Sequence, residues 1–130
     1  MQKIKPYRSK KHLAWIRTKP CCHCGTNLDI VAHHLISCGL GGSMGSKQPD
    51  SLTIPLCVRC HAIVHASGGT TTINQLWYLY QLIRLAVRNR ELIAGDTLMG
   101  FCVASDDTNY LTDFANCVRN EFASGKMALK

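Results

Sequence analysis

Residues 57–65 read CVRCHAIVH, two cysteines and two histidines within nine residues. The fold turns on whether these four side chains hold one metal ion or serve two. A second Cys-x-x-Cys pair, Cys21 and Cys24, lies upstream, separated from Cys57 by 32 residues and followed by Gly25. Cys-x-x-Cys is the spacing at which a tight turn brings two sulfurs to one tetrahedral ion, and two such turns complete a four-thiolate zinc site. Gly25 suits the first turn because glycine accepts positive φ. Cys22 sits inside that turn without a partner at the same spacing, and reads as a non-ligand. The alternative is two buried cysteine pairs without metal. If Cys21, Cys24, Cys57 and Cys60 fill one zinc, His61 and His65 belong to a different site.

His61 and His65 stand at i and i+4, about 40° apart on one face of a helix, close enough to share an ion. Upstream, IVAHHLI is an apolar, β-branched run that reads as a strand and carries His33 and His34 side by side. Adjacent strand residues point to opposite faces. One of the two can join the ion held by His61 and His65 while its neighbour reaches a substrate. Three histidines leave coordination positions open, as a catalytic metal requires. A free imidazole beside such an ion can take a proton from water near neutral pH. Together these features suit phosphodiester hydrolysis. His12 and His23 have no matching partner and read as surface residues.

Between the strand and the second cysteine pair lies CGLGGSMGSKQPD, where Gly39, Gly41, Gly42 and Gly45 allow sharp turns and close approach of phosphate to the backbone. Lys47 adds a possible phosphate contact. SLTIPLC then reads as a second strand entering the CVRCHAIVH helix. Strand, glycine-rich loop, strand and helix make a ββα hairpin wrapped around one ion.

The flanks are simpler. RSKKHLAWIRT, residues 8–18, reads as a short basic helix stopped by Pro20. Residues 70–94 read as a helix with a threonine N-cap, ending at Gly95. It is apolar on most sides between Leu76 and Val87, which predicts a sandwiched helix or a subunit interface. Residues 106–124 begin with aspartate caps and repeat apolar positions at helical spacing. The link GDTLMGFCVAS is a loop or a short strand.

Charge is unevenly placed. Residues 1–20 hold seven of the 15 basic residues and no acid, while the remaining eight basic residues are matched by eight acids. Lys10, Lys11 and Arg17 therefore form part of a basic N-terminal arm or helix of the kind a phosphate backbone attracts; a solvated charge run is the plainer reading. No apolar run is long enough to span a membrane, and the charged first residues do not resemble a signal peptide. Eight cysteines without a secretion signal point to metal binding in a reducing cytoplasm rather than to a disulfide framework. Cys22, Cys38, Cys102 and Cys117 read as small apolar residues.

Taken together, His33-His34, the GLGGSMGSK loop, IPLC and Cys-x-x-Cys-His-x-x-x-His resemble the HNH endonucleases, the ββα-metal or His-Me finger nucleases. The likeness is nearest to phage and prophage proteins of the recombination-enhancement type and covers roughly residues 8–66. It implies an α+β fold with a zinc-stabilised ββα-metal core at 21–69; charge and helical spacing add the basic arm at 1–20 and a helical extension at 70–130 in the same compact domain. It implies His33, His61 and His65 as ligands of a catalytic Mg²⁺ or other divalent ion, His34 as general base, and the four cysteines as structural Zn²⁺ ligands. The family's usual asparagine is replaced by Asp50, which can accept a hydrogen bond from His34. The expected function is DNA endonuclease activity in recombination or DNA processing, in the cytoplasm of a bacterial host, with a homodimer or a recombination protein as possible partners. The alternative is a non-catalytic zinc module that binds DNA.

Overall fold

The structure, a computed structural model, describes residues 6–38, 40, 47–68, 74–93 and 111–130. The glycines 39, 41, 42 and 45, the threonines at 70–72, the link at 95–105, Cys102 and the aspartates at 106–107 lie outside the described residues.

At the centre are two antiparallel strands, β1 (Ile30–His34) and β2 (Thr53–Cys57), paired from Ile30 opposite Cys57 to His34 opposite Thr53. All five residues of β2 are buried. That explains its apolar, non-alternating sequence, because it is covered on both faces. Helix α1 (Lys10–Arg17) and helix α2 (Val58–Ala66) pack against the strands, and α3 (Gln75–Arg88) packs against both β2 and α4 (Leu111–Ser124). A short pair, β3 (Leu92–Ile93) with β4 (Ala128–Leu129), closes the far end. The arrangement is a small mixed α+β fold. Among the described residues no helix is long and apolar enough to cross a membrane.

The starts of α1, α2 and α3 each have a local cause. Ser9 Oγ accepts the His12 N–H at the head of α1, and Asn74 Oδ1 accepts the Trp77 N–H at the head of α3. The cap of α3 is thus Asn74 rather than a threonine. The cap of α2 is Cys57, whose Sγ accepts the Cys60 N–H at 3.4 Å. A candidate metal ligand therefore also starts the helix.

The expected run of α3 to residue 94 is corrected. The helix ends at Arg88, and Arg90 turns into the left-handed region at φ 60°. The Glu91 N–H reaches the Ala86 carbonyl and the Arg90 N–H reaches the Val87 carbonyl. These two bonds make a Schellman stop with arginine where glycine is usual. It frees Leu92 and Ile93 to pair with Leu129 and Ala128. The Glu91 carboxylate also accepts hydrogen bonds from Trp15 Nε1 and Lys19 Nζ, tying this turn to α1.

His12 needs a second correction. Far from being a surface residue, it is fully buried, with the rings of Tyr7, Trp15 and Phe122 at 5.1 to 5.7 Å. It stands one turn before Ile16, which is also buried, so both belong to the inward stripe of α1. Neither ring nitrogen has a hydrogen-bond partner. Burial lowers its pKa to about 4, against a small opposing pull from Asp50, so the ring is neutral at pH 7. His23 is exposed, as expected, and its Nδ1 lies 2.9 Å from the Tyr78 hydroxyl.

Candidate metal centres and the histidine–aspartate pair

The hairpin and α2 bring the two ligand sets to neighbouring places. Cys21 and Cys24 lie on a turn in which the Gly25 N–H reaches the Cys21 carbonyl, with Gly25 at φ 81°. Cys57 ends β2, and Cys60 lies in the first turn of α2. One sulfur from each of these four cysteines lies within 4.8 Å of the others. Cys24 Sγ and Cys57 Sγ are 3.6 Å apart. Four sulfurs at the usual Zn–S distance, set tetrahedrally, are separated by about 3.8 Å. The geometry fits a zinc-sized ion.

Electrostatics supports the same reading. Burial opposes ionisation of Cys21, but N–H groups directed at its sulfur, from Cys24 among others, outweigh it and lower the thiol to about 6. Cys60 is driven the other way, by burial and then by the other sulfurs. A cluster that favours one thiolate and resists the next is what a divalent cation neutralises. Cys22 is half-buried against the core, and burial raises its thiol to about 12, in keeping with a non-ligand. Its backbone N–H caps the Pro55 carbonyl at 3.0 Å.

The second set is His33, His61 and His65, which offer nitrogens within 4.8 Å of one another. His61 Nε2 and His65 Nε2 are 3.0 Å apart. The three ring centroids are separated by 4.4, 5.1 and 5.3 Å. Imidazoles bound to one tetrahedral ion at about 2.0–2.1 Å have centroids about 5 Å apart, so this set also fits. His33 is fully buried, and its pKa is lowered to about 4, by burial first and then by the neighbouring histidines against a hydrogen bond with Gln75. Burial and His65 also lower the pKa of His61. Neutral imidazoles are the form that binds metal. Three nitrogens leave at least one position for water or substrate.

His34, next along β1, is separate from that cluster. Its Nε2 lies 2.8 Å from Asp50 Oδ1. Asp50 is held from several sides. The Ser9 N–H donates to its Oδ2 at 2.8 Å, and Arg8 Nη1 donates to its Oδ1 at 3.2 Å. Arg8 also donates to the carbonyls of Gln48 and Lys47, so one guanidinium fastens the segment that carries Asp50. Burial opposes ionisation of Asp50, but the hydrogen bonds from His34, Ser9 and Arg8 prevail and hold its pKa below the usual carboxylate value. An ionised carboxylate only accepts. His34 Nε2 must therefore carry the hydrogen, and in the neutral ring Nδ1 carries the lone pair.

Sequence reasoning missed Arg8, Ser9 and Gln75. In the sequence Arg8 is only one of the basic residues of the N-terminal excess. Of the residues expected to meet nucleic acid, Lys10, Lys11, Arg17 and Lys47 are all exposed. A groove of about 510 Å³ lies elsewhere, lined by Cys21, Cys22 and Pro55 and by Trp77, Tyr78 and Arg88 of α3; none of the four site histidines lines it.

Residues 1–83 match the family described as "Protein of unknown function (DUF968)", and the chain belongs to that family. It is also similar to "Uncharacterized protein YdfU" of Escherichia coli (strain K12), at 38% identity over 65 residues. That alignment covers 50% of this chain and 18% of the relative, so the chain spans less than a fifth of the relative's length. No solved structure matches.

Proposed function

We propose that this protein is a metal-dependent DNA endonuclease with an HNH, ββα-metal core. The observation that carries the reading is a juxtaposition on β1. His33 belongs to an incomplete three-nitrogen centre, and the adjacent His34 is bonded to a buried, ionised aspartate. A metal site with an open position beside an oriented imidazole is the equipment of phosphodiester hydrolysis.

An ion held by His33, His61 and His65 would neutralise charge developing on the pentacoordinate phosphate and the leaving oxygen. Imidazole donors suit a transition-metal ion better than Mg²⁺, which prefers oxygen. The rest falls to the chain. Asp50 accepts the Nε2–H of His34 and leaves Nδ1 to take a proton from the attacking water. Arg8 and Ser9 keep Asp50 from turning away. Helix α1 begins beside this pair, because its cap residue Ser9 is bonded to Asp50. Its exposed Lys10, Lys11 and Arg17, with Lys47, would hold the phosphate backbone near the base. The four cysteines would hold a structural zinc that fixes the start of α2.

The test is cleavage of supercoiled plasmid and of circular single-stranded DNA with Mg²⁺, Mn²⁺, Co²⁺ or EDTA, comparing the native chain with His34→Ala. The expected result is metal-dependent nicking by the native chain and none by the variant. Zinc-loaded native chain that binds DNA without cutting it under any of these ions would overturn the enzyme in favour of a DNA-binding zinc module.

A further inference from the structure

Gln75 stands at the first position of α3, in a part of the chain without ligand-like spacing, yet it is only 3% exposed. A buried amide must satisfy both its ends. Its Nε2 donates to the Ile36 carbonyl at 2.9 Å, and its Oε1 accepts the Ile36 N–H at 3.1 Å. Ile36 thus settles which end of the amide is oxygen, because a backbone N–H can only donate and a carbonyl can only accept. The same Oε1 lies 2.8 Å from His33 Nε2. An oxygen so placed requires a hydrogen on that nitrogen. The other nitrogen, His33 Nδ1, is buried and has no hydrogen-bond partner. The neighbouring rings of His61 and His65 stand 5.1 and 5.3 Å away, centroid to centroid.

We infer that Gln75 is a positioning residue for the histidine centre: it holds His33 as the Nε2–H tautomer, so that the ring binds metal through Nδ1. The partnerless buried nitrogen is the ligand atom, and the ion is what satisfies it. The backbone of Ile36, two residues past the end of β1, is the template that orients the amide. The chain Ile36–Gln75–His33 is therefore a relay of fixed hydrogen bonds ending at the ion. Supports of this kind hold a ligand ring in place and raise its basicity, and their loss typically costs about 10- to 100-fold in metal affinity.

This inference rests on reading His33, His61 and His65 as a metal centre, and its test does not use cleavage. The probe is Zn²⁺, added to full-length chain whose cysteine site is already filled. Calorimetry would give the affinity of the second site, and long-range ¹H–¹⁵N spectra would identify the protonated and metal-bound nitrogens of His33. The native chain is expected to hold hydrogen on Nε2 before and after metal addition, with Nδ1 metal-bound. Gln75→Leu should lower the affinity about 10- to 100-fold and blur the tautomer preference. Gln75→Glu keeps the acceptor for His33 but loses the donor to Ile36; it should restore affinity to near the native value. If Gln75 served only to hold Ile36, Gln75→Glu would be as weak as Gln75→Leu, which would overturn the inference. Metal bound through Nε2 would overturn it too, and the native spectrum alone decides that point should Gln75→Leu fail to fold. No second-site binding by the native chain would sink the metal centre and its support together, whereas tight binding unaffected by Gln75→Leu would sink only the role of Gln75.

Discussion

The four sulfurs and the three imidazoles share helix α2 but differ in completeness. Cys21, Cys24, Cys57 and Cys60 bring together four sulfurs, the number a tetrahedral ion takes, from two turns of chain, and Cys57 is also the N-cap of the helix. His33, His61 and His65 supply three donors and stop. A closed set suits a structural ion, while an open set suits an ion that must exchange a ligand. The contrast extends to their surroundings. The sulfur cluster is satisfied largely by its own local backbone N–H groups, whereas His33 and His34 each depend on a residue distant in sequence, Gln75 and Asp50.

The largest expected effect breaks the closed side of that comparison. Cys57→Ser removes a metal-binding sulfur while leaving a hydroxyl that can still cap α2, so it isolates the loss of the ligand. It should abolish stoichiometric zinc and cost on the order of 5 kcal/mol of folding free energy, read by metal analysis and thermal unfolding. A variant with native zinc content and melting temperature would show that the four sulfurs do not form one site.

On the open side, His34→Ala should leave zinc content and melting nearly unchanged while lowering cleavage about 10²- to 10⁴-fold. Loss of stability on the same scale as Cys57→Ser would erase the distinction between the two regions.

His12 provides a histidine with no ligand role, and it sharpens the comparison through pH. Its folded pKa is about 4 against an ordinary value of 6.5. The unfolded chain therefore takes up a proton below pH 6.5 that the folded chain refuses until about pH 4. Stability present above pH 6.5 should fall progressively through that window by about 3 kcal/mol. Chemical denaturation of the native chain and of His12→Leu at several pH values isolates this part from acid release of zinc. If both lose stability in parallel, His12 is not the cause.

The smallest effect concerns the basic helix. Lys10→Ala with Lys11→Ala should reduce the salt dependence of DNA binding by up to about two units of log–log slope, without changing fold or zinc. An unchanged slope would place the phosphate contacts elsewhere.

Both candidate clusters were legible in the sequence, because the spacings within their Cys-x-x-Cys and His-x-x-x-His pairs are local consequences of turn and helix geometry. Cys-x-x-Cys and His-x-x-x-His mean the same thing wherever the chain goes next. The pairing of His34 with Asp50 was accessible only through resemblance, and the structure places them 2.8 Å apart. The supports of these residues were not legible. Arg8 meets Asp50 across 42 positions and Gln75 meets His33 across 42, and no local pattern encodes either approach. The end of α3 was missed for a similar reason: Arg90 adopts a conformation more typical of glycine, in a turn that leads Leu92 and Ile93 to a partner strand at 128–129. His12 was the avoidable error, since its spacing of four from Ile16 already placed it on the inward face of α1.

Cys60 and His61 are consecutive residues of α2, so the sulfur site and the imidazole site are one peptide bond apart on a rigid element. An ion settling Cys60 would also set the direction in which His61 and His65 project. Binding at the two sites would then be thermodynamically linked. By whatever factor zinc at the sulfurs improves the grip of the histidines, an ion at the histidines improves the grip on zinc by the same factor. Zinc starvation would thus act on both centres at once, emptying the imidazole site at metal concentrations that would otherwise fill it.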